Sequence, residues 1–395
     1  MRILLTDGHE RATLAAARSL VAAGHAVHVL ADRRWSLAGA SRGVTPHQVA
    51  ESALAAPQAY ARRVGELAAG VAADMLLPLT DPSIEALLGY RALLPEPLLL
   101  PLPPLDVYRT ASDKAYLLAL AEQCGFALPG TLRLESPSAL DRATEEAHFP
   151  AVLKPHRSVV GDDAGRLKLG VSFVDDRESA RRVLSSLPPE AFPVLLQQRV
   201  IGPGEGFFGL RWDGQMVATF CHRRLREKPP AGGVSVYRES MSPDAALAEA
   251  GTRLLHALDW RGVAMVECKR DLRTGRHVLM EINGRFWGSL QLAIDAGVDF
   301  PSLLVRSASG ERVPTQAGYR SGVRSRWFWG DVDHLYLRLR RSAAALHLPP
   351  GHGGRASAVL DFLRFAPGRD RCEVERFGDP GPGLVETLGR FGVLR

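Results

Sequence analysis

The chain has 395 residues, 46% of them hydrophobic, with 49 Lys and Arg against 43 Asp and Glu for a formal net charge of +6. That is an ordinary globular composition, long enough for two or three domains at roughly 150 residues each. No apolar run reaches the ~18 residues of a membrane span, and the one basic run, HRRLREK from His222 to Lys228, is short and broken by Glu227, so membrane and nucleic-acid roles are disfavoured.

The chain opens with strand and helix in alternation. RILLT is a short apolar run, DGHE a turn with helix-start chemistry, and ATLAAARSLVAAG a helix that ends at Gly24 as its C-cap. HAVHVL, a helix near 57–69, the run ADMLLPL and a helix from about 82 to 94 follow. This predicts a parallel sheet with crossover helices. The first turn carries one glycine and no G-x-G-x-x-G, so no nicotinamide signature is present, and Asp7 and His9 read first as turn and cap residues. PEPLLLPLPPLD (95–106) marks a domain edge, because proline continues neither a helix nor a central strand. SDKAYLLALAEQCG then predicts a helix with Ser112 as N-cap, and FPAVLKP (149–155) a strand.

From Val194 the pattern becomes α+β around an antiparallel sheet. VLLQQRV, GFFGLRW, QMVATFCHRR and GVSVYRES read as strands, 244–258 as a helix, and GVAMVECKRD and HVLMEING as two strands joined by LRTG. A helix begins near Gly288, and the tail from about Arg320 shows no readable motif. The four cysteines, Cys124, Cys221, Cys268 and Cys372, lack metal-ligand spacing and read as reduced thiols. With no signal-peptide core in MRILLTDGHE, a cytoplasmic protein is expected.

One stretch, VLMEINGRFWGSL, sets Glu281, Asn283 and Arg285 two apart at the end of an apolar run. An extended chain aims all three to one side. Paired as a hairpin with GVAMVECKRD, it brings Glu267 near the level of Glu281. Two carboxylates and an amide oxygen suit hard Mg2+, with Mn2+ as an alternative. A buried ion pair of Glu281 with Arg285 or Arg261 fits the same strands equally well. Only five lysines occur: Lys114, Lys154, Lys168, Lys228 and Lys269. In a chain that otherwise uses arginine, these mark places where a compact charge matters.

From Ser112 to Ser309 the chain resembles the ATP-grasp superfamily, its carboxylate–amine ligases and the synthetase domain of carbamoyl-phosphate synthases. EINGRFWGS carries the resemblance most specifically, with SDK before a helix, VLKP ending a strand and LLQQRVIGPGE in support. The fold it implies is mixed α/β and α+β, an ATP-grasp fold preceded by a Rossmann-like domain. The expected divisions are 1–105 Rossmann-like, 106–192 central and lid, 193–319 catalytic, and 320–395 an extension that either closes the cleft or makes a homodimer.

The resemblance implies that Glu267, Glu281 and Asn283 hold Mg2+ against the ATP phosphates. Arg285 would meet the transferring phosphate or the substrate carboxylate, and Lys114 and Lys154 would hold ATP phosphates. LLQQRVIGPGE is similar to the segment that grips adenine. Gln197 would take the exocyclic amine, the backbone of Gln198 and Val200 the ring nitrogens, and Glu205, one residue off the usual spacing, the ribose hydroxyls. HRSVVGDDAGRLKLGV corresponds to the loop that covers phosphate, glycine-poor here and bearing Asp162 and Asp163, with no residue roles assigned. HRRLREKPPAGGVSV corresponds to the γ-phosphate and acceptor site, with Arg223 or Arg224 as its cation and Ser235 beside it. The expected activity is ATP-dependent amide formation through an acylphosphate, from small, amino-acid-like acid and amine substrates. A bicarbonate-phosphorylating domain and a non-catalytic ATP-binding protein are the alternatives.

Overall fold

A computed structural model describes residues 1–142, 147–156, 159–162, 165–242, 244–316, 318–349 and 351–394, with backbone only at 142, 159–162 and 165–168. The N-terminal part comprises β1 (Arg2–Leu5), α1 (Arg11–Ala22), β2 (Ala26–Ala31), β3 (Val44–Gln48), α2 (Pro57–Gly70), β4 (Met75–Leu77) and α3 (Asp81–Gly89). The four strands form a parallel sheet in the order β3-β2-β1-β4. Asp7 follows β1 at φ 58. Its carboxylate accepts from Thr80 Oγ1 at 3.0 Å, Ser83 Oγ at 2.8 Å and the Leu79 N–H at 3.1 Å. Asp7 is thus the turn residue the sequence suggests.

Next come α4 (Leu105–Ser112), α5 (Lys114–Gln123), β5 (Thr131–Leu134), α6 (Ala139–Arg142), β6 (Ala151–Pro155), β7 (Val159–Asp162), β8 (Gly165–Lys168), β9 (Ser172–Val174), α7 (Arg177–Ser186) and β10 (Val194–Gln198). Asp113, not Ser112, caps α5, accepting from Ala115 N at 3.0 Å and Tyr116 N at 3.2 Å. Ser112 instead closes α4 by donating to the Tyr108 carbonyl. β5, β10, β6 and β9 form a small antiparallel sheet, and β7 pairs with β8 as a hairpin. Asp163 and the side chains of Asp162, Arg166 and Lys168 lie outside the described residues.

The rest is β11 (Gly204–Trp212), β12 (Gln215–Lys228), β13 (Val234–Ser240), α8 (Ala245–Ala257), β14 (Gly262–Arg270), β15 (His277–Asn283), α9 (Leu290–Ala296), α10 (Phe300–Ala308), β16 (Arg324–Arg326), α11 (Phe328–Arg340), α12 (Arg355–Leu363), β17 (Asp370–Cys372) and α13 (Gly381–Arg390). Their strands make a seven-stranded sheet, β15-β14-β11-β12-β13-β16-β17. One face packs Phe207, Cys221, Val266 and Cys268 with residues of α5 and α8. The other packs Phe208, Phe220, Val263 and Met265 against α9, α10 and, from the N-terminal part, α1. Among the described residues no helix is long and apolar enough to cross a membrane.

Candidate functional site

Strand alternation carries the second face out of the core and into a cleft. Along β14, Val263 and Met265 are followed on the same side by Glu267 and Lys269; along β12, Phe220 is followed by His222 and Arg224. On β11 between them the matching positions are Gly204 and Gly206. A Cβ on Gly204 would lie 2.7 Å from Arg224 Cδ, so the missing side chain gives the guanidinium its place. Glu267 and Glu281 are register partners on β14 and β15, and Asn283 pairs with Met265.

Each acid meets its own cation. Glu267 pairs with Arg224 at 2.6 Å, and Glu281 with Lys114 at 3.5 Å. Asn283 Nδ2 donates to Glu281 Oε1 at 3.2 Å, while its Oδ1 accepts from Arg285 Nη2 at 2.9 Å. Arg285 pairs with Asp81 of α3 at 3.0 Å, and Arg261 stacks on Trp212. The Glu281–Arg285 or Glu281–Arg261 pair that the strands also allowed is therefore not the arrangement found.

Burial opposes ionisation of Glu281, yet Lys114 and Lys154 hold its carboxyl below the usual range. Burial also pulls the Lys154 and Lys269 ammonium groups below their ordinary values, against the nearby acids. For Arg224 and Arg285 burial is outweighed by their acid partners, and both guanidinium pKa values rise.

Except for the Arg261–Trp212 pair and Lys114, which lines a small separate pocket with Asp81, Glu281 and Asn283, these groups line a cavity of about 690 Å3. Its lining is mixed. Pro129, Val152, Phe173 and Met280 contribute apolar surface, and Lys154, Lys269, Arg224, Glu267 and Glu281 contribute charge; Met280 Sδ lies 3.8 Å from Lys154 Nζ. Gln197, Gln198 and Val200 also line it. The Gln197 amide donates to Thr131 Oγ1 at 3.2 Å, the Gln198 N–H to the Gly130 carbonyl at 2.7 Å, and the Val200 carbonyl accepts from Lys269 Nζ at 3.4 Å. The Gln198 N–H is thus already engaged.

Besides Lys114, two sequence candidates fall elsewhere. Glu205 pairs with Cys268, on the sheet face away from Glu267, and is buried against His277 Nε2 at 2.9 Å. Arg223 is its cross-strand partner on β12 and pairs with Glu239 at 2.6 Å. Both face away for the same reason: their neighbours Gly204 and Gly206, and His222 and Arg224, occupy the cleft side. Ser235 does line the cavity. Lys269, Asp81, Glu227 and Arg11 were missed. Lys269 had a signal, since it lies two residues beyond Glu267 and is one of five lysines.

Among the described residues no three His, Cys, Asp or Glu side chains are arranged to hold a metal ion. The set here is two acids and an amide, all oxygen donors, beside a surplus of Lys and Arg, which fits a hard divalent cation carried in with an anionic ligand.

Residues 210–329 match the model of a family described as ATP-grasp in the biosynthetic pathway with Ter operon. The chain is similar to a biotin carboxylase–β,γ-ATP complex from Campylobacter jejuni, at 15% identity over 82% of this chain and 74% of that one, with a TM-score of 0.63. It is similar to the biotin carboxylase domain of Hydrogenobacter thermophilus 2-oxoglutarate carboxylase, solved with MgADP, ADP and bicarbonate, at 16% identity, 82% and 73% coverage and TM-score 0.63. N5-carboxyaminoimidazole synthetase from Staphylococcus aureus complexed with ADP gives 14% identity, 82% and 80% coverage and TM-score 0.62. No curated protein matches the chain by sequence. The chain thus has the fold of the ATP-grasp enzymes, and residues 210–329 resemble an ATP-grasp family by sequence.

Proposed function

We propose that this chain is an ATP-dependent carboxylate–amine ligase working in the 690 Å3 cavity. The observation that carries the reading is that one cavity gathers apolar side chains together with paired acids, lysines and arginines. A purine suits the apolar surface and a metal-bound triphosphate the charged groups.

In this reading Gln197 and the chain around Val200 border the base, and Lys114 and Lys154 hold phosphate oxygens. Glu267, Glu281 and Asn283 hold Mg2+, which supplies charge neutralisation on the phosphates when bound. Arg224 and Arg285 receive the charge that builds on the transferring phosphoryl group and the acid. A substrate carboxylate oxygen attacks the γ-phosphorus as the bond to ADP breaks. The amine nitrogen then attacks the acyl carbon, phosphate leaves, and the amine loses a proton. Catalysis rests on positioning and charge. We also propose the division into 1–105, 106–192, 193–319 and 320–395 as the working units.

Bicarbonate, present in one similar structure, would be a second acid to try. A coupled ADP-release screen over amino-acid pairs, repeated with bicarbonate and with hydroxylamine as a trap, tests the reading. Acid-dependent ADP release with a hydroxamate product is expected. Amide formation from a good substrate without any hydroxamate would rule out the acylphosphate.

A further inference from the structure

A second cavity, of about 530 Å3, shares Glu10, Arg11 and Val234 as walls with the first. Five parts of the chain build it: the turn after β1 with the start of α1, the segment 33–37 after β2, the β12–β13 hairpin, Trp327 between β16 and α11, and α13 with the residues after it. The C-terminal extension therefore makes one side of a chamber that adjoins the first cavity.

That side is fixed in place. Asp379, just before α13, accepts from Arg18 Nε at 2.7 Å, Ser41 Oγ at 2.6 Å and the Arg42 N–H at 3.0 Å. Trp327 donates its indole N–H to Glu386 at 2.6 Å. Most charges in the chamber are committed in the same way. Arg11 pairs with Glu373 at 2.7 Å and lies over the Trp327 ring, and Lys228 pairs with Asp333 at 2.7 Å. Glu386 forms no ion pair among the described residues and leaves its Oε2 buried without a partner, and two exposed charges are also uncommitted. Arg33 and Glu10 are exposed, and neither makes an ion pair or side-chain hydrogen bond among the described residues. Trp35, 47% exposed, stands next to Arg33 in the same wall.

The two exposed uncommitted charges are of opposite sign and differ in position. Glu10 belongs to the wall shared with the phosphate cavity; Arg33 belongs to the outer chamber alone. A guanidinium fork matches a carboxylate bidentately, and a carboxylate matches an ammonium.

We propose that this chamber is the amine-substrate site and takes an amino acid, with its ammonium toward Glu10 at the shared wall, its carboxylate on Arg33 and its side chain against Trp35. The assignment rests on the ligase reading above. An attacking nitrogen must reach the first cavity, and Glu10 is the uncommitted acid in the wall the two share.

The test is binding, measured on the full chain loaded with MgADP. The twenty L-amino acids are screened by saturation-transfer NMR, and each hit is compared with its decarboxylated amine and its N-acetyl derivative. Either change should weaken binding roughly tenfold or more, the usual worth of a hydrogen bond to a charged group. Arg33→Ala should erase the preference for the amino acid over its amine. Glu10→Gln should erase the preference over the N-acetyl form. Unchanged preferences in the two variants, or no binding by any of the twenty, would overturn the assignment. Failure of the chain to bind MgADP would instead strike at the ligase reading, so the two failures are distinguishable.

Discussion

Glu267 and Glu281 face each other in register across β14 and β15, yet Glu267 is bound to Arg224 and Glu281 to Lys114. Two acids held apart by separate cations can turn toward one divalent ion when nucleotide phosphates arrive to engage those cations. Glu281→Gln removes one acid and keeps its shape. Its Mg2+-dependent ADP release should fall ~100-fold or more, the scale of losing one electrostatic stabiliser, while ADP affinity without metal should hold or rise. ADP release at the wild-type rate would discount the metal role.

Arg224 and Arg223 are neighbours with opposite fates. Arg224 reaches Glu267, Glu227 at 2.9 Å and the Gly233 carbonyl at 3.1 Å, so it joins β14 to the hairpin that roofs the cleft. A lysine cannot span three such partners, and Arg224→Lys should cost ~100-fold in turnover. Arg223 is half-exposed, and its partner Glu239 also holds Arg324 and Arg369. Arg223→Ala should leave turnover near wild type and stability within ~1 kcal/mol. Steady-state kinetics and urea unfolding of the pair decide the matter.

Burial lowers the Lys154 ammonium, and phosphate binding needs that group charged. The charge is present below its folded pKa and lost above it. ADP affinity should therefore fall as pH rises through a value below the ordinary lysine range. Lys269 is lowered for the same reason and adds to the fall. Arginine stays charged throughout, so Lys154→Arg should flatten much of the alkaline decline in a calorimetric titration. An identical decline in the variant would remove Lys154 from phosphate binding.

Much of this site was legible locally. The turn LRTG brings the strands of Glu267 and Glu281 together, and the scarcity of lysine draws attention to Lys114 and Lys154. Regular pairing from Arg270–His277 would set Glu267 against Met280, and a β-bulge between Glu267 and Cys268, which the sequence does not announce, sets it against Glu281. Choosing between Arg223 and Arg224 needed only face parity, counted from Phe220 in the core. The same count along GEGFFG turns Glu205 away from the cleft. Other features had no local trace. Asp81 and Arg285 are 204 residues apart, and the Ser41–Asp379 contact spans 338. Such pairs depend on how the N-terminal sheet and the tail dock on the large sheet, which no short window records.

Glu373 shows what that docking contributes. Buried to 1% exposure, it takes Arg11 from α1 and Arg238 from β13 on the same oxygen, tying the N-terminal part, the large sheet and the tail together. Burial works against its charge, but the two guanidinium groups hold its carboxyl below the usual range. A carboxylate lowered on folding contributes stability above its unfolded pKa of about 4.3 and loses it as pH falls through the folded value. Glu373→Gln leaves two buried cations facing each other without their counterion, a break worth ~3–5 kcal/mol. In urea unfolding at neutral pH the variant should show that loss. Its deficit should shrink on acidification below the ordinary glutamate range, where the wild type loses the same charge. A deficit independent of pH would mean that shape, and not charge, makes this junction.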